Sequence, residues 1–399
     1  MRHGLLLSSV IGALWGLVMI TCVTTVLAFT TGLPVRPLWL VALLQGAVAA
    51  LVVQRGFAWP LAVGLTAIAV LVLSLLEPFA LSLELSWKTQ VAGMVVYVLS
   101  LVFPLRKMLE DVPAVLLTRH QFEEAIIRFL TAFGYVFFTA MVLVPFYVMV
   151  MTSLKGQQAL LVNPLDYSVE WDRGWDMFRS YYELFTQFNF GSYLLISLFV
   201  SVLTVLITLV FSVPGAYAIA RLRFRGQAAM SRSILLIYMV PLIVLALPIY
   251  IGFSMLGLRN TLTGLLMIYP VTTFPVALYM LQGYFRDLPA EVEEAGLMDG
   301  LSRLEVIWKI TLPLARPALA SVSLYVFMIA WNEFLLAFML LDDPAKFTLT
   351  RGVAMLNSSE IPRQHLMAGA VIATVPIMAL FLFLERFMTK GLAAGSVKG

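Results

Sequence analysis

Long apolar runs alternate with short polar segments along most of the chain. Ten of these runs approach the roughly 20 residues that a helix needs to cross a bilayer. Each run is continuously apolar, which favours helices over the alternating pattern of a membrane barrel strand. The runs cover residues 5–29, 38–54, 59–76, 90–105, 133–152, 191–212, 233–256, 262–284, 317–341 and 366–388. The pattern predicts an all-α, polytopic membrane protein with about ten transmembrane helices.

Polar residues divide this pattern into three parts. Residues 1–110 contain the first four runs, and residues 111–132 form a polar linker. We expect the linker to lie on the membrane surface as an amphipathic helix. Residues 133–399 contain the other six runs. The prediction is therefore a core of six helices preceded by an extra N-terminal membrane region of four helices.

Composition supports a membrane location. The 399 residues are 61% hydrophobic and 12% charged, whereas a soluble domain has about 25% charged residues. Lipid must therefore cover most of the surface, so we expect the lipid bilayer, and no nucleic acid, among the partners. The one cysteine, Cys22, cannot form an internal disulfide. The three histidines are scattered, and we expect no metal or cofactor bound by this chain.

Basic residues predict the orientation of the chain. With the N-terminus in the cytoplasm, 17 of the 26 lysines and arginines fall in cytoplasmic segments. Cytoplasmic loops are enriched in these residues. Four arginines share one short loop: Arg221, Arg223, Arg225 and Arg232. We therefore predict that both termini are cytoplasmic and that the number of spans is even.

The most organised polar segment is residues 289–318. Pro289 suits the first position of a helix, and Gly300 suits the left-handed residue that follows a helix end. Ser302 and Glu305 have the spacing of a capping box for a second helix. The pattern predicts two short helices joined by a glycine turn.

The second of these helices presents an apolar stripe of Leu304, Ile307 and Trp308. Outside the membrane such a stripe must be covered. It can pack on the other helices of the protein, lie on lipid, or dock onto another protein. The residues alone leave these three possibilities open.

The same segment resembles the EAA loop of permease subunits in bacterial ABC importers. The family pattern is Glu-Ala-Ala, three residues, Gly, nine residues, Ile, one residue and Leu-Pro. The matching residues are Glu294, Ala295, Gly296, Asp299, Gly300, Ile310, Leu312 and Pro313. Gly296 departs from the pattern, because it stands where the family has a second alanine. We expect this glycine to loosen its helix by about 1 kcal/mol relative to alanine.

The resemblance extends over roughly residues 133–399. Trp331-Asn332-Glu333-Phe334 is similar to part of the fifth core helix of these permeases. The tail, residues 391–399, resembles that of the maltose-type second permease subunit. Residues 1–110 match no pattern of this family.

The resemblance implies a permease subunit of a carbohydrate-uptake importer in the bacterial inner membrane, and not an enzyme. A second permease subunit would complete the pathway, and an extracytoplasmic solute-binding protein would deliver the solute. A separate ATPase dimer would bind ATP and Mg, and the EAA residues would couple that dimer to the transmembrane helices. The implied tail contacts with the ATPase are Ser396, Val397, Lys398 and Gly399.

Asn332 and Glu333 are the candidate residues of the solute pathway, because polar groups within a membrane are costly. The alternative for Glu333 is solvation at the outer membrane surface, since Asp342 follows within about three helical turns.

Two other classes of membrane protein would show different sequence features. A secondary transporter driven by an ion gradient predicts internal repeats and buried charges within the spans, of which this chain has few. A membrane enzyme ranks last, because no nucleophile and base pair is apparent. The chain contains no Gly-x-x-x-x-Gly-Lys-Ser/Thr motif, so it is not expected to be the ATPase.

Overall fold

A computed structural model describes residues 3–76 and 86–395, with side chains except at positions 75, 76, 235, 237, 238 and 384–395. Within these ranges the chain is helical and contains no strand beyond an isolated bridge between His3 and Leu116. The α-helices are α1 Gly4–Thr31, α2 Trp39–Gln54, α3 Trp59–Leu76, α4 Trp87–Met108, α5 Arg119–Leu154, α6 Gln157–Val162, α7 Arg179–Thr186, α8 Phe190–Arg221, α9 Gln227–Tyr238, α10 Leu242–Met255, α11 Leu262–Asp287, α12 Ala290–Met298, α13 Arg303–Val306, α14 Leu312–Leu314, α15 Arg316–Asn332, α16 Leu335–Leu340, α17 Leu349–Met355 and α18 Arg363–Gly395.

The chain divides into two compact units, Met1–Met177 and Phe178–Gly399. This division lies within the range 133–399 that the sequence predicts as the permease core. The predicted boundaries near residues 110 and 132 follow the ends of the polar linker, and they stay predictions.

In the first unit, α1 to α4 surround an apolar core. Trp15, Tyr97 and Leu101 are almost fully buried there. The indole N–H of Trp15 donates a hydrogen bond to the carbonyl oxygen of Ser100 at 2.9 Å. A buried indole usually finds such a partner, and here the bond joins α1 to α4.

A tryptophan begins each of α2, α3 and α4. The exposed fractions of Trp39, Trp59 and Trp87 are 53%, 56% and 70%. Tryptophan is enriched at membrane surfaces, where its ring lies at the level of the lipid headgroups. These three side chains therefore suit the ends of membrane helices.

Glycines allow α1 and α2 to approach each other at backbone distance. A Cβ atom added at Gly46 would lie 2.1 Å from the carbonyl oxygen of Gly12 and 2.9 Å from the Cα of Gly16. Small residues at such positions let membrane helices pack by van der Waals contact. The contact requires glycine because its neighbours are backbone atoms that cannot rotate away.

The segment after α4 covers the start of α1. The N–H groups of Gly4 and Leu5 donate to the carbonyl oxygens of Val115 and Ala114 at 2.9 and 3.2 Å. A Cβ at Gly4 would collide with the carbonyl of Pro113. The first N–H groups of a helix have no partner within it, so Ala114 and Val115 supply partners for Leu5 and Gly4 at the start of α1.

Helix α5 extends further than its apolar run. It begins at Arg119, where Thr118 and Gln121 form a capping box, and it continues to Leu154. The predicted linker therefore contributes its last residues to this helix instead of forming a separate one. Aromatic rings join α5 to α1, with Phe129 against Trp15 and Tyr147 stacked on Phe29 at 5.5 Å.

In the second unit, α8 packs lengthwise against α11. The hydroxyl groups of Thr208 and Thr273 form a buried hydrogen bond between them at 2.8 Å. Apolar clusters surround Tyr193 and Tyr269 toward one end of this pair and Tyr217 and Phe285 toward the other. The two clusters make α8 and α11 the centre of this unit.

Two of the predicted spans are broken. The run 233–256 divides into α9 and α10, because Pro241 precedes α10 as its N-cap residue. The run 317–341 divides into α15 and α16 around Glu333, so its prediction as one continuous helix was wrong. Among the described residues, six helices are long and apolar enough to cross a membrane, or seven if a pair bent by 80° counts as one span.

A hydrogen bond joins α7 to α18. The Nε2 atom of His365 lies 2.7 Å from a carboxylate oxygen of Glu183, and Arg179 lies 2.8 Å from the other oxygen. The hydrogen bond from Arg179, together with the contact to His365, lowers the pKa of Glu183 despite its burial. Glu183 therefore stays ionised to a lower pH than an unpaired glutamate.

We expect Glu183→Gln to lower the Tm of the chain at neutral pH, because the neutral amide cannot replace the ionised carboxylate. A lowered pKa means that this stabilisation is complete above the ordinary value of 4.5. It is lost as the pH falls through the pKa of the folded protein. The difference in Tm between variant and wild type should therefore shrink below about pH 4.5, as melting curves in detergent would show. A difference that stays constant from neutral pH to about pH 3 would contradict this.

Candidate functional site

The charged segment 289–318 forms a compact helical hook. It consists of α12, α13, a π-helical stretch at Ile307–Thr311 (the π segment), and α14. Pro289 is the N-cap of α12 and not its first residue, so the predicted helix start was one residue early. After α14 the chain bends by 80° into α15. The hook is thus joined at both ends to long helices, α11 and α15.

The turn between α12 and α13 confirms the prediction for Gly300. Its φ is +86°, a left-handed conformation that favours glycine. The N–H of Leu301 donates to the carbonyl oxygen of Gly296 at 3.1 Å. The N–H of Gly300 donates to the carbonyl oxygen of Leu297, also at 3.1 Å. These two bonds form a Schellman motif, which ends α12 abruptly.

The predicted capping box of α13 is also confirmed. The Ser302 hydroxyl accepts from the N–H of Glu305 at 3.3 Å, and the Glu305 carboxylate accepts from the N–H of Ser302 at 2.9 Å. This backbone bond and the contact with Lys309 lower the pKa of Glu305 to about 2. The cap is therefore fully charged at physiological pH.

Pro313 explains why the π segment forms. Proline has no N–H to offer the carbonyl of Lys309, and in a straight α-helix its ring would collide with that carbonyl. The N–H of Leu312 instead reaches the carbonyl oxygen of Ile307, five residues back. Wide turns of this kind occur frequently at functional sites.

The candidate coupling residues differ in exposure. Glu294, Ala295, Asp299, Gly300 and Pro313 are exposed, whereas Ile310 and Leu312 are partly buried. Gly296 is buried against the π segment, and a Cβ there would lie 2.4 Å from the Cδ1 of Ile310. The glycine that departs from the family pattern thus permits close packing between α12 and the π segment.

Three large apolar side chains of the hook face away from the rest of the second unit. Met298, Leu304 and Trp308 are 88%, 70% and 71% exposed. Leu304 and Trp308 are four residues apart and therefore neighbours on one helical face. Such a patch beside charged residues is typical of a docking surface.

The hook also contains a buried carboxylate that the sequence did not single out. Glu293 lies on the inner face of α12 with 5% of its surface exposed. Its neighbour Glu294 is exposed. Both are acidic residues near the start of a helix, where a negative charge is favourable, and this property does not distinguish an inward side chain from an outward one.

The second candidate site lies where α15 ends. The carboxylate of Glu333 accepts from the N–H groups of Leu336 and Ala337 at 2.8 and 3.1 Å. The side chain therefore caps α16. Asn332 is exposed, and its amide donates to the carbonyl oxygen of Met328 at 2.9 Å. In this arrangement Glu333 has a structural role, and Asn332 is the more accessible of the two.

Asn260 organises the opposite end of the second unit from the hook. Its φ is +57°, and its side-chain oxygen accepts from the N–H groups of Asp342 and Asp343 at 3.2 and 3.0 Å. Asparagine tolerates the left-handed conformation better than most residues. The sequence offered one cue, an asparagine in a short polar loop, and no reason to connect it with residues 82 and 83 positions away.

The predicted tail residues 396–399 lie outside the described part of the chain. Within that part, no group of three or more His, Cys, Asp or Glu side chains is placed to hold a metal ion.

The fold resembles that of a solved ABC importer. A crystal structure of a bacterial ABC transporter involved in the import of the acidic polysaccharide alginate contains a chain with 23% identity and a TM-score of 0.58. The match covers 68% of this chain and 98% of that chain. This likeness shows the fold that the chain shares with one chain of a bacterial ABC transporter.

Sequence comparison identifies the family. Residues 212–393 match the model of the binding-protein-dependent transport system inner membrane component. The inner membrane ABC transporter permease protein YcjP of Escherichia coli is 36% identical over 270 residues, 67% of this chain and 95% of that protein. The trehalose/maltose transport system permease protein MalG of Thermococcus litoralis is 32% identical over 69% of this chain and 99% of its own length. The chain belongs to the binding-protein-dependent inner membrane permeases of ABC importers.

This membership confirms three predictions. The chain is a multi-pass inner membrane permease subunit that works with a solute-binding protein and an ATPase. Its relatives serve ATP-driven uptake systems for sugars, which supports the importer and not the ion-gradient transporter. The family is a membrane component and generally not enzymatic.

Proposed function

We propose that this chain is one of two different permease subunits of an importer for a sugar or oligosaccharide, driven by ATP and Mg on a separate ATPase dimer. The observation that supports it most is the high exposure of Met298, Leu304 and Trp308 on the hook. Exposed apolar side chains of this kind mark a site of interaction with a protein or a membrane. The names of the relatives, which include a trehalose/maltose permease, support the solute class.

The hook is proposed to couple the ATPase to the transmembrane helices. The residues proposed for this role are Glu294, Ala295, Gly296, Asp299, Gly300, Ile310, Leu312 and Pro313. The exposed members would contact the ATPase, and Gly296 and Ile310 would hold α12 against the π segment. The tail, Ser396, Val397, Lys398 and Gly399, is proposed as a further contact with the ATPases.

The hook and both termini are proposed to lie in the cytoplasm. The excess of basic residues in alternate loops supports this orientation. The proposed topology has ten spans, with four extra N-terminal helices before a core that begins near residue 133. Tryptophans at the starts of α2, α3 and α4 support membrane placement of the extra region.

A second permease subunit is proposed to complete the solute pathway. A crevice of about 470 Å³ between α8, α15 and α18 is lined by apolar side chains, with Ser323 as the exception. Sugars need hydrogen-bond partners, which such a crevice does not supply. We therefore place the solute between subunits, with Asn332 and Glu333 as the proposed contributions of this chain.

Affinity purification of the tagged chain from its native membrane in mild detergent tests the proposal. We expect an ATPase, a second permease and a solute-binding protein to copurify, together with ATPase activity. The recovered binding protein would then be screened against sugars, polyols, sugar acids and phosphorylated glycerol. Recovery of this chain alone would contradict the proposal.

A further inference from the structure

The buried carboxylate of Glu293 lies where three segments meet. The Tyr217 hydroxyl, on α8, donates to one carboxylate oxygen at 3.2 Å. The Thr311 hydroxyl, in the π segment, donates to the other at 3.0 Å. The Nε atom of Arg221, the last residue of α8, lies 3.6 Å from that second oxygen. One side chain of α12 thus contacts both α8 and the π segment.

Arg221 extends this cluster to a fourth element. Its guanidinium group donates a hydrogen bond to the carbonyl oxygen of Leu288, which follows α11. Only 13% of the Arg221 side chain is exposed. The ends of α8 and α11 and the start of the hook are therefore held at a single point.

A carboxylate is a costly choice for a buried position. Burying a charge is unfavourable unless it is paired and hydrogen-bonded, and an apolar side chain of similar size often gives equal or greater stability. The charged cluster contributes directional bonds, and each bond fixes the orientation of one segment relative to the next. Glu293 therefore suits a role in geometry better than a role in stability alone.

A second contact makes α12 and the π segment one rigid piece. Gly296 lies against Ile310, one helical turn from Glu293 and one residue from Thr311. Two contacts a turn apart prevent α12 from pivoting on the π segment. Since the π segment leads through α14 into α15, a displacement of α12 reaches α15 through Thr311 and α8 through Tyr217 and Arg221.

We propose that Glu293 is the positioning residue that transmits movement of the docked ATPase to α8 and α15 together. This rests on the proposed function, because it requires that α12 contacts an ATPase. Glu293 itself faces inward and would touch neither the ATPase nor the solute. Its loss should uncouple ATP hydrolysis from transport while the ATPase remains bound.

The test uses the complete importer, purified and reconstituted in proteoliposomes, with radiolabelled solute uptake and ATP hydrolysis measured together. For Glu293→Gln we expect uptake per ATP hydrolysed to fall by about tenfold, within the usual range of coupling between linked sites. Hydrolysis should also lose its dependence on the binding protein. The amount of ATPase that copurifies should match wild type. Glu110→Gln, an exposed position in the first unit, is the matched control.

Thr311 provides a pair of variants that separates the hydroxyl from the packing. Thr311→Val keeps the volume and removes the hydrogen bond to Glu293, whereas Thr311→Ser keeps the bond. We expect the valine variant to uncouple and the serine variant to retain coupling. This pair also decides the question if Glu293→Gln fails to fold.

Two results would be decisive against the inference. If Glu293→Gln and Thr311→Val lower the Tm but leave uptake per ATP at the wild-type value, Glu293 is structural only. If Thr311→Val and Thr311→Ser uncouple equally, the hydrogen bond is not the cause. A wild-type chain that recovers no ATPase would instead refute the proposed function itself.

Discussion

Replacing Trp308 with alanine is expected to weaken association with the ATPase by about 30-fold or more. Trp308 is 71% exposed on the hook beside Leu304, and a tryptophan at the centre of an interface commonly contributes 2 kcal/mol or more, with each 1.4 kcal/mol worth about tenfold. The side chain contacts little of its own chain, so its loss should leave the fold intact. Titration of the purified permease with the ATPase, followed by bound ATPase activity, measures the effect.

Trp87→Ala is the matched control for this experiment. Trp87 is 70% exposed, almost the same fraction as Trp308, but it lies at the start of α4 in the first unit. Its loss should leave the affinity for the ATPase unchanged. If wild type and Trp308→Ala bind the ATPase with equal affinity, the patch is not the docking surface. That result would favour lipid as the cover of the patch.

Gly46→Ala is expected to destabilise the first unit by about 1 to 3 kcal/mol, the usual cost of overpacking. The new Cβ would lie 2.1 Å from the carbonyl oxygen of Gly12. Backbone atoms cannot move aside as a flexible side chain can, so α1 and α2 would have to separate along their contact. Thermal unfolding of the full chain in detergent, followed by tryptophan fluorescence, should show a lower Tm.

The same substitution at Gly64 should stabilise the chain instead of destabilising it. Gly64 lies on α3, and none of the described atoms comes within 4 Å of the position its Cβ would take. Alanine favours a helix over glycine by up to about 1 kcal/mol, so Gly64→Ala should raise the Tm slightly. Equal effects at Gly46 and Gly64 would show that helix propensity, and not the contact between α1 and α2, determines the outcome.

Local rules of sequence predicted much of the hook. Gly300 and the capping box of Ser302 with Glu305 depend on neighbours within a few residues, so the sequence contains the information needed to find them. The same holds for the ends of α1 to α4, where apolar runs begin and stop. A helix was predicted in the linker, but its continuity with the following span in α5 was missed. Composition does not show whether a polar helical segment and an apolar one form a single helix.

Contacts between distant segments explain the other misses. Whether Glu293 or Glu294 faces inward depends on where Thr311 and Arg221 lie, which no local pattern encodes. The break at Glu333 has no proline or glycine beside it. It depends on the bonds from the N–H groups of Leu336 and Ala337 to the Glu333 carboxylate. In a continuous helix, these N–H groups would instead bond to backbone carbonyl oxygens of the preceding turn. Asn260 likewise has its partners in a loop 82 and 83 residues away.

The bonds between the start of α1 and residues 114 and 115 have a consequence for biosynthesis. The N–H groups of Gly4 and Leu5 leave the ribosome before their partners, which follow more than 100 residues later. At 5 to 20 residues per second, that delay is roughly 5 to 20 s. During this interval the first N–H groups of α1 lack these partners. The bundle of α1 to α4 can therefore be completed only after residues 114 and 115 are synthesised. These residues emerge immediately before the first residues of α5.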